Sequence, residues 1–268
     1  MQIDFINITL IIATFLWLFS LGYLCFAFIA LEHFKYRKNK KVFSSNFCPP
    51  ITILKPIYGL DPDMLDCLRS FCQQDYPRYQ VIFGLQDKND PAIPLVKQVI
   101  KEFSDNDTSF IINTELHGTN HKVSNLINMN PYIKYEYILI ADSDMRVSKK
   151  YLTHVMEPFS NEKVGVITCL YNGKSKRRIA SKLNAMFINT WFLPSVLISR
   201  ILQPMKYCLG STMVVKRSIL NKIGGFESLS NHLADDYILG KLISNCIALI
   251  ISLLTRFKLI LDVSLMHK

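Results

Sequence analysis

The chain has 268 residues, half of them apolar, and a net charge of +10, which allows one large domain or two small ones and points to anionic lipid, a phosphorylated substrate or nucleic acid as partner. No nucleic-acid module is recognisable and no dense basic helix lies outside one membrane-proximal stretch, so lipid and phosphate rank above nucleic acid, and no nucleic-acid partner is expected. Seven scattered cysteines without a CxxC pair argue against a disulfide framework or a zinc site and fit a reducing compartment.

Ile8 to Leu31 is almost wholly apolar and exceeds the ~20 residues needed to cross a bilayer. It lacks a basic start and a small-residue cleavage site, so it reads as a retained anchor, not a removable signal peptide. Only Asp4 is charged before it, and Lys35, Arg37, Lys38, Lys40 and Lys41 follow it. The positive-inside rule then puts the N-terminus outside and everything after about residue 32 in the cytoplasm. The basic cluster could lie against anionic headgroups or serve as a plain stop-transfer flank. The expected organisation is an anchor over 1–32, a basic juxtamembrane linker over 33–49, a catalytic domain over 50–245 and an apolar, basic tail over 246–268.

From Pro50 the composition is that of a globular domain. Ile51 to Leu54 reads as a strand closed by Lys55-Pro56. Asp61-Pro62 signals a helix start, with the helix running to Gln74. Val81 to Leu85 is a second strand, ending in the acidic stretch Gln86 to Pro91. Pro94 to Phe103 suits a helix and Phe110 to Ile112 a short strand. The loop from Glu115 to His121 leads into a helix start over Lys122 to Leu126. This alternation predicts a Rossmann-like α/β sheet. No GxGxxG or GxxxxGK[ST] follows a strand, so phosphate would have to be held through a metal.

Tyr137 to Ala141 is an apolar run without alternation, as expected of a strand buried on both faces of a parallel sheet. It ends in Asp142-Ser143-Asp144. Side chains two apart on an extended chain point the same way, so both carboxylates would face one crevice at the strand's carboxyl end, where open α/β sheets bind ligands. Two carboxylates there suit a hard divalent cation that keeps other oxygens from water and a substrate phosphate. A simple turn built from Asp and Ser is the alternative.

Ser148 can cap a helix over Lys149 to Phe159, and Val164 to Thr168 reads as a strand. Lys174, Lys176, Arg177 and Arg178 read as a solvated loop, with contact to a diphosphate as the alternative. Met186 to Leu202 is apolar, carries Trp191 and is broken by Pro194. It is too short and interrupted for a span, and either lies in the membrane interface or forms a buried helix pair. Cys208 to Val215 is another strand, with Gly210-Ser211 where a backbone can approach a ligand. Gly224-Gly225 is a turn. Leu233 to Tyr237 opens a helix whose acid pair, Asp235 and Asp236, suits the helix dipole even without catalysis. Cys246 to Leu261 is apolar but interrupted by Arg256 and Lys258, and its uncharged core is far short of a span.

Four stretches in this order resemble the ceramide glucosyltransferase family of GT-A-fold glycosyltransferases: SFCQQDYPRYQVIFGLQDKNDPA, KVSNL, ADSDMRV, and GGFE followed by LADDY. INTWFLPSVLISRIL and YCLGSTMVVKRSIL look closer still to the bacterial branch that includes hopanoid-associated glycosyltransferases. The resemblance covers about residues 50 to 245 plus the anchor. It implies a GT-A domain, a UDP-sugar donor, a membrane-lipid acceptor (ceramide or hopanoid) and Mg²⁺ or Mn²⁺. It also implies roles: Asp87, Asp90 and Lys122 on the nucleotide-sugar, Asp142 and Asp144 on the metal and sugar diphosphate, and Asp236 as the base that deprotonates the acceptor hydroxyl. The family's (Q/R)xxRW motif is absent, since Arg-Trp occurs nowhere in the chain. After Asn245 the resemblance stops, as it would in a truncated or frame-shifted gene. A non-catalytic remnant that keeps nucleotide-sugar binding is therefore the alternative reading, and a polysaccharide synthase is disfavoured because one clear span cannot build a channel.

Overall fold

A computed structural model describes residues 5–40, 47–61, 63–175, 179–246 and 249–260. The chain divides into two compact units, Met1–Val42 with Asn189–Pro204, and Phe43–Ile188 with Met205–Lys268.

In the first unit, α1 (Phe5–Lys40) runs on past residue 32 as one helix. Asn7–Phe34 is long and apolar enough to cross a membrane, and its large side chains are exposed, Trp17 and Phe19 among them. Tyr23 stacks on Trp191 with ring centroids 5.5 Å apart, and its hydroxyl lies 3.0 Å from Ser195 Oγ on α7 (Leu193–Leu202). A π-helical turn over Ile188–Phe192 precedes α7, so Pro194 falls in the first turn, where its missing N–H and fixed φ are tolerated. The helical run Ile179–Leu202 therefore does reach membrane-spanning length and hydropathy, contrary to the interrupted segment expected, and exposed Met186, Phe187 and Trp191 do not fit a buried helix pair.

The second unit is a mixed sheet with helices against it. Its strands are β1 (Ile51–Ile57), β2 (Tyr79–Leu85), β3 (Asp107–Ile112), β4 (Tyr137–Ala141), β5 (Met145–Arg146), β6 (Val164–Lys174), β7 (Thr212–Lys216) and β8 (Leu249–Ile260), in the order β3-β2-β1-β4-β7-β6-β8-β5. The half formed by β3, β2, β1 and β4 is parallel, but β7 lies antiparallel to both β4 and β6, so the sheet is not parallel throughout. The helices are α2 (Met64–Cys72), α3 (Ile93–Glu102), α4 (His121–Met129), α5 (Tyr151–Met156), α6 (Ile179–Phe187), α8 (Arg217–Lys222) and α9 (Asp235–Asn245).

Central β4 is apolar for the reason its sequence gave: Ile138, Leu139 and Ile140 are all buried. One core joins Leu54, Ile82, Ile138 and Val215 of the sheet to Leu126 of α4 and Leu239 of α9. Enclosing each such aliphatic side chain contributes about 1.5–3 kcal/mol. This cluster fixes α4 and α9 beside the carboxyl end of β4.

Several elements differ from the sequence pattern. Strand β1 does not stop at Leu54 but continues through Lys55 and Pro56, paired with β2 alone beyond the reach of β4, where a missing proline N–H does no harm. Helix α2 begins at Met64, after Asp63 in the left-handed region (φ 66°), later than the start expected at Asp61; Pro62 lies outside the described residues. Helix α5 is only Tyr151–Met156 and passes into a 3₁₀ turn at Pro158; Ser148 contributes its carbonyl, not its side chain, to the first turn. The apolar tail, for which the sequence named no element, forms strand β8 beside β6.

Candidate functional site

The acidic segment sits where β4 ends, but not as an extended strand. Met145 N–H donates to the Asp142 carbonyl (3.3 Å), closing a tight turn, while Asp142 N–H donates to the Ser211 carbonyl before β7 (3.1 Å). A turn, not strand alternation, brings the Asp142 and Asp144 carboxylates together, which corrects the extended geometry expected. The turn is held from behind by α2. Cys67 Sγ lies 3.3 Å from the Asp144 carbonyl, Val147 N–H donates to Ser70 Oγ (3.1 Å), and Gln74 Nε2 donates to the Ser148 carbonyl (2.9 Å).

In front of the turn is a cavity of about 630 Å³ lined by Tyr58, Asp61, Gln86, Lys122, Asn125 and the Asp142–Asp144 turn, among others. Lys122 Nζ is 2.6 Å from Asp142 Oδ1. Burial works to lower the Lys122 ammonium, but Asp142, Asp235 and Asp236 around it override burial and hold it above its ordinary value. Asp144 is pushed up to about 6, first by burial and then by Asp142, with Lys55 acting against them. Ser143 Oγ lies 3.3 Å from Asp61 Oδ2, adding a third acid to the rim. Gln86 Nε2 is buried with no hydrogen-bond partner among the described residues, and Gln86 lines the cavity.

The acid pair at the start of α9 faces the same region. Burial raises Asp235, with Asp236 adding to it. Two glycines seat α9. A Cβ on Gly240 would stand 2.4 Å from the Tyr207 Cα, and one on Gly210 would stand 2.9 Å from Asp236 Oδ2. The Cys208 N–H donates to the Asp236 carbonyl (3.3 Å), locking the first turn of α9 to the chain before β7. Tyr171 on β6 is held above its ordinary pKa by burial first and then by the charges of Asp142, Asp144 and Asp236.

Of the expected site residues, Lys122, Asp142 and Asp144 line the cavity, and the charge of Asp236, which is not among the lining residues, acts on Lys122 and Tyr171. Asp87 and Asp90 are not among its lining residues. Asp87 is exposed and accepts from Asn89 N–H (2.8 Å). Asp90 is buried, and its two oxygens accept from Gly59 N–H (2.9 Å) and Ala92 N–H (2.8 Å). It thus pins the loop that carries Tyr58 and Asp61 into the wall of the cavity. Of the basic cluster, Lys174 is exposed and Lys176, Arg177 and Arg178 lie outside the described residues. Sequence reasoning passed over Lys55, Gln86 and Asn125 as site residues. Asn125, three residues after Lys122 on α4, does carry a signal, since that spacing puts both on one helix face.

The chemistry of the donor set suits a hard divalent cation, because Asp142 and Asp144 offer oxygen ligands only. Among the described residues no three His, Cys, Asp or Glu side chains group into a cage. A cation here would complete its shell from water and substrate.

Comparison with known proteins places this geometry in context. A ceramide glucosyltransferase of Caenorhabditis elegans, number 3, is 26% identical over 218 residues, which cover 81% of this chain and 47% of the nematode protein. The chain thus spans about half the length of that relative. Among solved structures, the mannosyltransferase PcManGT of Pyrobaculum calidifontis, in complex with GDP-Man and Mn²⁺, superposes with a TM-score of 0.61 at 19% identity, covering 88% of this chain and 65% of that one. TarS of S. aureus in complex with UDP gives 0.52 at 17% identity, over 79% of this chain and 60% of that one. At these identities the structures speak for the fold alone, a mixed α/β sheet flanked by helices of the GT-A type. The family model of glycosyl transferase family 21 matches residues 14–251, nearly the whole described chain and every element of the site, and the chain belongs to that family.

Proposed function

We propose that the chain is a membrane-tethered, inverting glycosyltransferase of the ceramide glucosyltransferase type, which moves a hexose from a UDP-sugar to a lipid hydroxyl. The observation that carries this is the charge arrangement at Lys122, which is ion-paired to Asp142, feels the charges of Asp235 and Asp236, and lines the same cavity as Asp144.

Asp142 and Asp144 are the residues to hold a divalent cation, Mg²⁺ or Mn²⁺. When bound, such an ion neutralises the diphosphate leaving group. Lys122, already charged in this field, is within reach of the same diphosphate as a point charge. Gln86 has a free donor for the nucleotide end of the cavity. Asp87, exposed on the loop after β2, would reach the nucleotide, and Asp90 would act beside it by shaping that loop.

Asp236 takes the proton of the acceptor hydroxyl. The acceptor oxygen then bonds to the anomeric carbon as the bond from that carbon to the diphosphate oxygen breaks. Attack opposite the leaving group inverts the centre. UDP departs with the electron pair of the broken bond, and the acceptor proton stays on Asp236.

The domain would lie on the cytoplasmic side, tethered by α1, and the basic residues from Lys35 to Lys41, which flank its apolar stretch, support that orientation. An acceptor rooted in the bilayer, ceramide in this reading, explains the tether. The test is turnover of the chain in nanodiscs with UDP-glucose, Mn²⁺ and ceramide. Glycolipid formation that is abolished in Asp236→Asn supports the reading, while product formation unchanged in Asp236→Asn and Asp144→Asn overturns it.

A further inference from the structure

Lys55 is a lysine with no exposed surface, in the middle of a domain that exposes nearly every other lysine. An isolated ammonium in such a place is strongly unfavourable, so its surroundings must compensate. They do so on one side only. From β1 the side chain reaches beneath the end of β4, and its Nζ donates to the backbone carbonyl of Asp142. The same nitrogen lies 4.0 Å from the centroid of the Phe71 ring on α2. The charges it meets are those of Asp144 and Asp142, together with the thiols of Cys67 and Cys72.

Asp61, Asp142 and Asp144 crowd their negative charges onto one rim, and Asp142 and Asp61 both act on Asp144. Lys122 balances that charge from the cavity side and can move toward a ligand. Lys55 balances it from the protein side and cannot move, because β1, Phe71 and the turn itself enclose it. It also fixes the backbone at the first acid, while Cys67 lies against the backbone carbonyl of the second.

We infer that Lys55 is a positioning residue for the acidic turn: a fixed internal counter-charge at neutral pH that holds Asp142 and Asp144 together before cation and donor arrive. It touches neither substrate nor cation. The inference rests on the reading of Asp142 and Asp144 as the cation-binding pair, and it deepens that reading by explaining what holds two carboxylates together from the protein side.

The test is a thermal-unfolding cycle on the full chain in detergent, with and without Mn²⁺ alone. Lys55→Met is expected to lower the cation-free Tm by roughly 5–10 °C. At pH 7 and without cation, Asp144→Asn should raise the Tm of Lys55→Met by at least twice as much as it raises that of the wild type, because the charge it removes is then unbalanced; a packing role would leave the two changes additive, with the same Asp144→Asn shift in both backgrounds. Mn²⁺ should raise the Tm of Lys55→Met by more than that of the wild type, since the ion then supplies the missing charge. Additive losses with equal Mn²⁺ shifts, or no loss in Lys55→Met, overturn the inference. If Lys55→Met does not fold, the double variant decides: folding supports the inference, and failure overturns it. A wild type with no Mn²⁺ shift at all would defeat the cation reading itself, while the cation-free cycle would still judge Lys55.

Discussion

Lys122 Nζ and Asp142 Oδ1 stand 2.6 Å apart, and this ion pair joins the end of β4 to the start of α4 at the point where Asp235 and Asp236 also act. Lys122 therefore serves two acidic groups from distant parts of the sequence. Lys122→Met should weaken UDP binding in the presence of Mn²⁺ about tenfold, the size of one charge-assisted contact. It should lower turnover by more, about a hundredfold, because the field around Asp236 changes too. Calorimetric titration with UDP and a glycolipid assay check the two numbers.

Asp144 gives a pH prediction. Its folded pKa is about 6, against about 3.9 in an unfolded chain, so the fold favours the protonated acid. That preference contributes stability fully present below about pH 4 and lost as pH rises through 6. At pH 7 the cation-free protein thus carries a penalty of up to about 3 kcal/mol. Asp144→Asn should raise the cation-free Tm at pH 7 and leave it nearly unchanged at pH 4. With saturating Mn²⁺ the order at pH 7 should reverse, because the ion stabilises only the wild type. Thermal scans at the two pH values, with and without Mn²⁺, read this out.

Gly240 faces the Tyr207 backbone, where an added Cβ would meet the Tyr207 Cα at 2.4 Å. Backbone cannot move aside as a side-chain tip can, so Gly240→Ala must shift α9. A loss of about 1–3 kcal/mol in stability is expected. Turnover should fall further than UDP affinity, since Asp236 rides on α9 while the donor cavity does not. Paired denaturation, UDP-binding and turnover measurements separate these effects.

Gln74 stitches three segments. Its Nε2 donates to the Ser70 carbonyl (2.7 Å) and the Ser148 carbonyl (2.9 Å), and its Oε1 accepts from Leu152 N–H (3.1 Å). Gln74→Leu keeps the bulk but leaves buried backbone groups unpaired, at a cost of about 2–4 kcal/mol. Because the segment after Asp144 is then released, Mn²⁺-dependent UDP binding should weaken as well. Urea denaturation and the same titration test both halves.

Much of this was readable from residue order. An unbroken apolar run ending in Asp-Ser-Asp marked β4 and its acids, and the alternation before it marked the parallel half of the sheet. Lys55 was illegible because a lysine followed by proline reads as the exposed end of a strand. Only the position of Phe71, on another element, shows that its charge is enclosed. The antiparallel β7 was legible as a strand but not in direction, which is set by partners rather than by its own sequence. The turn at Asp142–Asp144 and the seating of Gly240 depend on backbone contacts between segments far apart in the chain, and residue types carry no record of those.

The place of β4 in the sheet has a consequence for synthesis. Strands β1, β2 and β3 precede it, so the parallel half can pair as soon as Ala141 has emerged. Its other edge stays open until Thr212–Lys216 is made. During that interval the nascent chain presents Ile138-Leu139-Ile140 as an unpaired apolar edge, the kind of surface that invites wrong strand pairing. The acidic turn exists at that stage, but Asp236 does not. A ribosome-bound intermediate would hold Lys122, Asp142 and Asp144 without the proposed base, and pairing of β7 with β4 removes the sticky edge before α9 is made.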